Sequence, residues 1–231
     1  MLSVQGLHQY YGASHTLRDV TFSVDEGRIC CLMGRNGVGK TTLLNTVLGL
    51  LPAREGSVAL GGTSLEALST EDRVRQGIGV VPQGRMIFPD LTVGENLETA
   101  LAARSDGVRE VPDRVFEYFP MLSDMLDRRG GDLSGGQQQQ LAIGRALVTA
   151  PRLLLLDEPC EGIQPNIVDL IGNVLRRLRS EEGMTILLVE QKLPFARAVG
   201  DEFVIMDRGS VVATGAMESL SDELVDEHLT V

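Results

Sequence analysis

Three short segments of the chain are apolar almost throughout: ICCLM at 29–33, LLLLD at 153–157 and TILLVE at 185–190. Each has the length of a strand and no polar face, the mark of a central strand in a parallel sheet covered by helices. Elsewhere the period changes. In NIVDLIGNVLRRLRSEEG (166–183) the residues Ile167, Leu170, Ile171, Val174, Leu175 and Leu178 recur every three to four positions and predict an amphipathic helix, with Gly183 as its stop. LTVGENLETALAA (91–103) and SGGQQQQLAIGRALVTA (134–150) also predict helices, the run QQQQ (137–140) being read as an exposed helix face. The first 28 residues and GSVALGGT (56–63) predict short antiparallel strands. The C-terminal SLSDELVDEHLTV puts Leu220, Leu224 and Val225 opposite a row of acids, an amphipathic helix that packs on its own protein or docks on another. The order strand, helix, strand predicts an α/β doubly wound domain, with 84–150 as a mostly helical block between buried strands.

With 231 residues the chain fits one large domain, or a domain with an inserted lobe, and needs no disulfides to bury its core. Cys30, Cys31 and Cys160 are an odd count, two of them adjacent in an apolar run, which suits buried thiols in a reducing compartment. A formal charge of −11 makes the chain a poor general partner for nucleic acid. No apolar stretch approaches the ~18 residues needed to span a bilayer, and the N-terminus lacks the basic start and apolar core of a signal peptide. A cytoplasmic location is expected.

The chemistry gathers at the ends of the apolar strands. After ICCLM comes Gly34-x4-Gly39-Lys40-Thr41, a phosphate loop between a buried strand and a helix. Gly34, Gly37 and Gly39 let the backbone curl so that successive N–H groups face an anion, and the helix adds its positive end. Lys40 would neutralise β- and γ-phosphates, and the Thr41 hydroxyl can ligate Mg²⁺. LLLLDEP ends in Asp157, suited to the surroundings of Mg²⁺, and Glu158, suited to orient or deprotonate an attacking water. ILLVEQK (186–192) is a strand expected to surface at its Glu–Gln tip.

LSGGQ (133–137), with the phosphate loop and LLLLDEP in the same order, resembles the nucleotide-binding subunit of an ABC transporter along the whole chain. The resemblance implies a P-loop, RecA-like, mostly parallel sheet with an antiparallel β subdomain and an inserted helical lobe. The nucleotide-binding core would be 1–82 and 151–231, and the lobe with the signature 83–150. It implies two ATP molecules, each with Mg²⁺, sandwiched in a head-to-tail homodimer or heterodimer. Ser134, Gly135, Gly136 and Gln137 would face the phosphates held by the partner subunit. Asn36 lies within the implied phosphate loop, and Thr42 would touch the α-phosphate. Tyr11, or alternatively Tyr10, would stack on adenine. Gln83, in VVPQG, would reach Mg²⁺ and the attacking water. Gln191 stands where the family usually has histidine. A Gln amide can bond a phosphate but carries no proton, so the expected roles are Glu158 as base and Gln191 as γ-phosphate sensor.

VEQ, GRMIFPDLTVGENL and DEPCEGIQPNIV further resemble the branched-chain amino acid uptake ATPases, and LSGGQQQQLAIGRAL with EGIQPNIV is most similar to the urea-import type. Cys160 departs from the Thr or Ser expected there, which weakens any hydrogen bond that a hydroxyl would make. The implied partners are membrane-spanning permease subunits at the inner face of the cell membrane and, indirectly, a solute-binding protein. Met86, Ile87, Phe88 and Leu91 would meet a helix of the permease, or else pack within the lobe.

Overall fold

A computed structural model describes residues 1–104 and 106–230. The N-terminal strands are long: β1 (Leu2–Tyr11) and β2 (Ser14–Val24) pair antiparallel, and β4 (Glu55–Leu60) and β5 (Thr63–Ser64) extend the sheet in the order β2-β1-β4-β5. The short strands read from the sequence are one continuous ribbon, because register shifts after Val4 and Leu7 absorb the breaks in its alternation.

The second sheet runs β10-β9-β3-β8-β7-β6: β3 (Ile29–Met33), β6 (Ile78–Val81), β7 (Leu153–Asp157), β8 (Thr185–Val189), β9 (Glu202–Asp207) and β10 (Ser210–Ala216). All neighbours pair parallel except β10 with β9. The three apolar segments are its centre, and every residue of β3, β7 and β8 is buried. Alternation sends Ile29, Cys31 and Met33 to the core below helices α6, α7 and α8, and Cys30 and Leu32 to the core shared with α1 and the antiparallel sheet. These helices are α1 (Lys40–Val47), α6 (Gly135–Val148), α7 (Pro165–Glu182) and α8 (Leu193–Val199). Truncating a fully buried central residue such as Leu155 to Ala would cost about 2–5 kcal/mol.

Helix α2 (Thr70–Arg75) precedes β6; α3 (Val93–Glu98), α4 (Asp113–Tyr118), α5 (Pro120–Ser123) and α6 fill the stretch between β6 and β7. The helix expected over 91–103 is α-helical only to Glu98 and continues as a 3₁₀ turn, starting from a Thr92–Glu95 capping box. The glutamine run is not an exposed face. Gln139 and Gln140 are 4% and 3% exposed, because α6 is covered on more than one side. Gly183, at φ 64, ends α7 as predicted. The last helix, α9 (Asp222–His228), lays Leu224 and Val225 against the core, while Leu220 is buried just before it.

Candidate functional site: a phosphate loop facing two carboxylate tips

In the sheet β8 lies between β3 and β7, so the carboxyl ends of all three come out side by side, with Leu32 paired to Val189 and Val189 to Asp157. The loop from β3 to α1 is wound by glycines at φ 148, 81 and 108 for Gly34, Gly37 and Gly39. A Cβ at Gly34 would run into the Met206 carbonyl, and one at Gly39 would stand 3.0 Å from Leu17. Gly39 is the N-cap of α1 and has no side chain with which to block the helix's free N–H groups. Lys40, 5% exposed, folds back and donates Nζ to the carbonyls of Gly34 (2.7 Å) and Arg35 (2.9 Å). Burial lowers its pKa, while the charges of Glu158, Asp157 and Glu190 oppose the shift. Asn36 lies exposed at the loop tip, and Thr42 is buried on the first turn of α1.

The Thr41 hydroxyl donates to Asp157 Oδ2 at 2.8 Å. Asp157 is 4% exposed, and its Oδ1 has no hydrogen-bond partner among the described residues. Burial raises its pKa and the Thr41 bond works against that. Glu158 turns the chain at φ 49, its N–H donating to Val189 O at 3.0 Å, so its carboxylate swings out over the neighbouring strand tip. There it accepts from Gln191 Nε2 and, at 3.3 Å, from Gln83 Nε2, which also donates to Glu161 at 3.1 Å.

The strand of the Glu–Gln pair does not surface at Glu190. β8 ends at Val189, and Glu190 is 3% exposed. Its Oε1 accepts the N–H groups of Gln191 (2.8 Å) and Lys192 (2.9 Å), bonds that counter the upward push of burial on its pKa. The buried carboxylate thus pins the turn that exposes Gln191. Lys192 closes the ring, donating Nζ to Cys160 O at 2.6 Å. The Cys160 thiol is fully buried, and burial pushes its pKa up with the Glu190 charge adding to the effect.

Ser134 caps α6. Its hydroxyl accepts from Gln137 N at 3.4 Å, and Gln137 Oε1 accepts from Ser134 N at 2.9 Å. Gly136 fits against Ile167 and Gly135 against Arg85. Among the described residues no hydrogen bond joins 134–137 to the phosphate loop, so these two motifs are separate within one chain. Tyr10 is committed to packing, stacked on His15 at 4.1 Å with Arg54 over its ring at 4.9 Å. Tyr11 is 50% exposed, at the end of a hairpin whose Leu17 touches Gly39.

Residues 17–161 match the family described as ABC transporter. The chain belongs to it. A branched-chain amino acid transport ATP-binding protein, BraG of Pseudomonas aeruginosa, is 40% identical over 232 residues, covering 99% of both chains. A probable branched-chain amino acid transport ATP-binding protein, LivF of Archaeoglobus fulgidus, is 35% identical over 95% of this chain and 94% of its own. Among solved structures, an ATP-binding subunit of an ABC transporter superposes with a TM-score of 0.86 at 30% identity, over 98% of each chain. A dimeric post-hydrolysis state of the cassette MJ0796, bound to ADP and Pi, does so at 0.85 and 26%, over 95% of this chain and all of the other.

This ABC cassette is an ATP-binding ATP hydrolase with the P-loop fold. Its acidic cluster suits a hard divalent cation. Asp157 Oδ1 is a buried acceptor without a donor, the Thr41 hydroxyl lies beside the same carboxylate, and Gln83 and Glu158 stand nearby with oxygen donors. The donor set therefore fits Mg²⁺. Several participants escaped the sequence reading. Glu190 was signalled only by its place in ILLVEQK, and Arg85 and Lys192 carried no local signal, since their partners are 53 and 32 residues away.

Proposed function

We propose that the cassette powers a membrane importer by binding and hydrolysing ATP between two ATPase subunits, docked on permease subunits at the cytoplasmic face. The observation that carries this is the meeting of Gln83 and Gln191 on the Glu158 carboxylate, at strand tips next to the phosphate loop. In this reading the core is 1–82 and 151–231, and 83–150 is the lobe that moves. Loop N–H groups of 34–39 and Lys40 hold the phosphates, Lys40 exchanging its two carbonyl partners for oxygens of ATP. Thr42 touches the α-phosphate and Tyr11 stacks on adenine. Thr41, Asp157 and Gln83 would hold Mg²⁺, whose chemistry is to neutralise charge on the β- and γ-phosphates. Glu158 accepts the proton of the attacking water, and Gln83 and Gln191 orient that carboxylate and sense the γ-phosphate. Ser134–Gln137 of the second subunit close the site with the N–H groups of Gly135 and Gly136, which the Ser134 cap does not take up. Binding then favours the closed pair, and hydrolysis removes the differential affinity that held it.

An apolar groove lined by Ile78, Val80, Met86, Phe88, Ala100 and Arg145 supports docking of a permease helix, and Met86 and Phe88 are 66% and 48% exposed on it. No helix among the described residues is long and apolar enough to cross a membrane. In this reading passage of the solute falls to the permease subunits. The likeness to BraG and LivF, branched-chain amino acid transport ATP-binding proteins, supports a branched-chain amino acid as that solute. Urea has the support only of LSGGQQQQLAIGRAL and EGIQPNIV.

Two measurements test the proposal. Glu158→Gln should form an ATP-dependent dimer on a sizing column and release phosphate roughly 10³-fold more slowly than wild type; turnover at the wild-type rate refutes the base. Vesicles containing the cassette with its permease should take up leucine in an ATP-dependent way, and uptake of urea instead would reverse the choice of solute.

A further inference from the structure

Gln83 and Arg85 are two residues apart and reach in opposite directions. Gln83 donates to Glu158 and Glu161. Arg85 Nη1 donates to Gln138 Oε1 at 3.2 Å, on the first turns of α6, and its guanidinium lies against Gly135, where a Cβ would come within 3.0 Å of Nη2. Gln138 is itself oriented by donating Nε2 to Gly130 O at 3.2 Å, which turns its oxygen toward Arg85.

The link between the two is strained. Gly84, Arg85 and Met86 have φ of 76, 70 and 44 in succession, and Met86 N donates to Gly84 O at 2.7 Å. That is a three-residue γ-turn of the rare left-handed kind, centred on a residue whose Cβ disfavours it. Such a conformation persists only where its surroundings impose it. Here α6 imposes it from both sides: Gln138 holds Arg85, and Arg145 Nη2 donates to Met86 O at 2.6 Å. A cation beside the positive end of a helix is a further local cost.

We propose that Arg85 is a positioning residue, coupling Gln83 and the Glu158 carboxylate to the start of α6. Occupancy of a cassette's own phosphate site thereby sets where its Ser134–Gln137 stand to meet the other ATP. The inference rests on the sandwich reading above. When Gln83 turns from Glu158 and Glu161 to nucleotide, the tight turn cannot absorb the shift, and Arg85 carries it to Gly135 and Gln138.

The test uses the full chain as Arg85→Gly, Arg85→Lys, Gln138→Leu and the Gly/Leu double variant. Glycine adopts a φ of 70 freely, so Arg85→Gly removes the guanidinium without lowering the melting temperature. It should leave KM for ATP within about twofold, lower kcat about tenfold and raise the ATP needed for dimerisation in the Glu158→Gln background, with Arg85→Lys intermediate. Gln138→Leu should behave likewise and the double variant no worse than either single, as for one shared pathway. A kcat for Arg85→Gly within about twofold of wild type, losses that multiply in the double variant, or a melting temperature that falls in step with kcat would each overturn the proposal. Failure of the wild-type chain to bind ATP in calorimetry would instead remove the sandwich reading on which it rests.

Discussion

The Gln191 amide donates to Oε1 of Glu158 across neighbouring strand tips. His8 and His15 are in the N-terminal ribbon and His228 is at the end of α9, so no imidazole joins this site. In the proposed mechanism proton transfer then rests on the Glu158 carboxylate alone. Gln191→Ala should slow phosphate release by about 3–10-fold without abolishing it, and Gln191→His should add a limb to the pH–rate profile near about 6.5, the ordinary imidazole pKa. Complete loss in the alanine variant would give Gln191 a larger part than orientation.

In the proposed mechanism Asp157 is a carboxylate held for a cation, and its burial is a cost to the nucleotide-free protein. Burial raises its pKa, and Oδ1 has no hydrogen-bond partner among the described residues. Asp157→Asn keeps an acceptor for Thr41 and removes the buried charge, so the nucleotide-free protein should melt higher than wild type. The same variant should lose Mg²⁺-dependent ATP hydrolysis, as should the wild type in EDTA. A variant that melts lower and still hydrolyses ATP would contradict both halves.

Glu190 predicts a pH dependence of stability. Its pKa is raised on folding from an ordinary 4.5, so above that value the native state binds more protons than the unfolded state. Stability therefore falls as pH rises from 4.5 through the raised value, the slope being set by the difference in bound protons. Glu190→Gln retains an oxygen for the N–H groups of Gln191 and Lys192 and cannot ionise. Urea denaturation from pH 5 to 8 should show a flatter profile for the variant, with equal or greater stability at the upper end; an unchanged slope would exclude Glu190 as its source.

The adjacent tyrosines should separate cleanly. Tyr10 stacks on His15 and has Arg54 over its ring, while Tyr11 presents half its surface. Tyr11→Ala should raise KM for ATP about tenfold, the worth of a stacked base, at unchanged melting temperature. Tyr10→Ala should lower the melting temperature and leave KM near wild type. The reverse pattern would reassign the adenine contact.

Much of this architecture is written locally. A pentamer apolar almost throughout has no polar face to give to water and fits the inside of a covered sheet, so ICCLM, LLLLD and TILLV declared themselves. Glycines with positive φ followed by Lys40 and Thr41 define an anion loop over eight consecutive residues, and Ser134 with Gln137 is a capping box within four. What lay outside local sequence is who neighbours whom. The order β3-β8-β7 brings residues 41, 157, 158 and 191 together, and that order follows from pairing across more than a hundred residues of chain. The buried state of Glu190, the covered face of Gln139 and Gln140, and the different surroundings of Tyr10 and Tyr11 were likewise set by what packs against them. Periodicity reports which residues must leave water. It does not report which partner, brought in from far along the chain, satisfies a polar group once it is there, and only the tertiary structure supplies the 53-residue reach from Arg85 to Gln138.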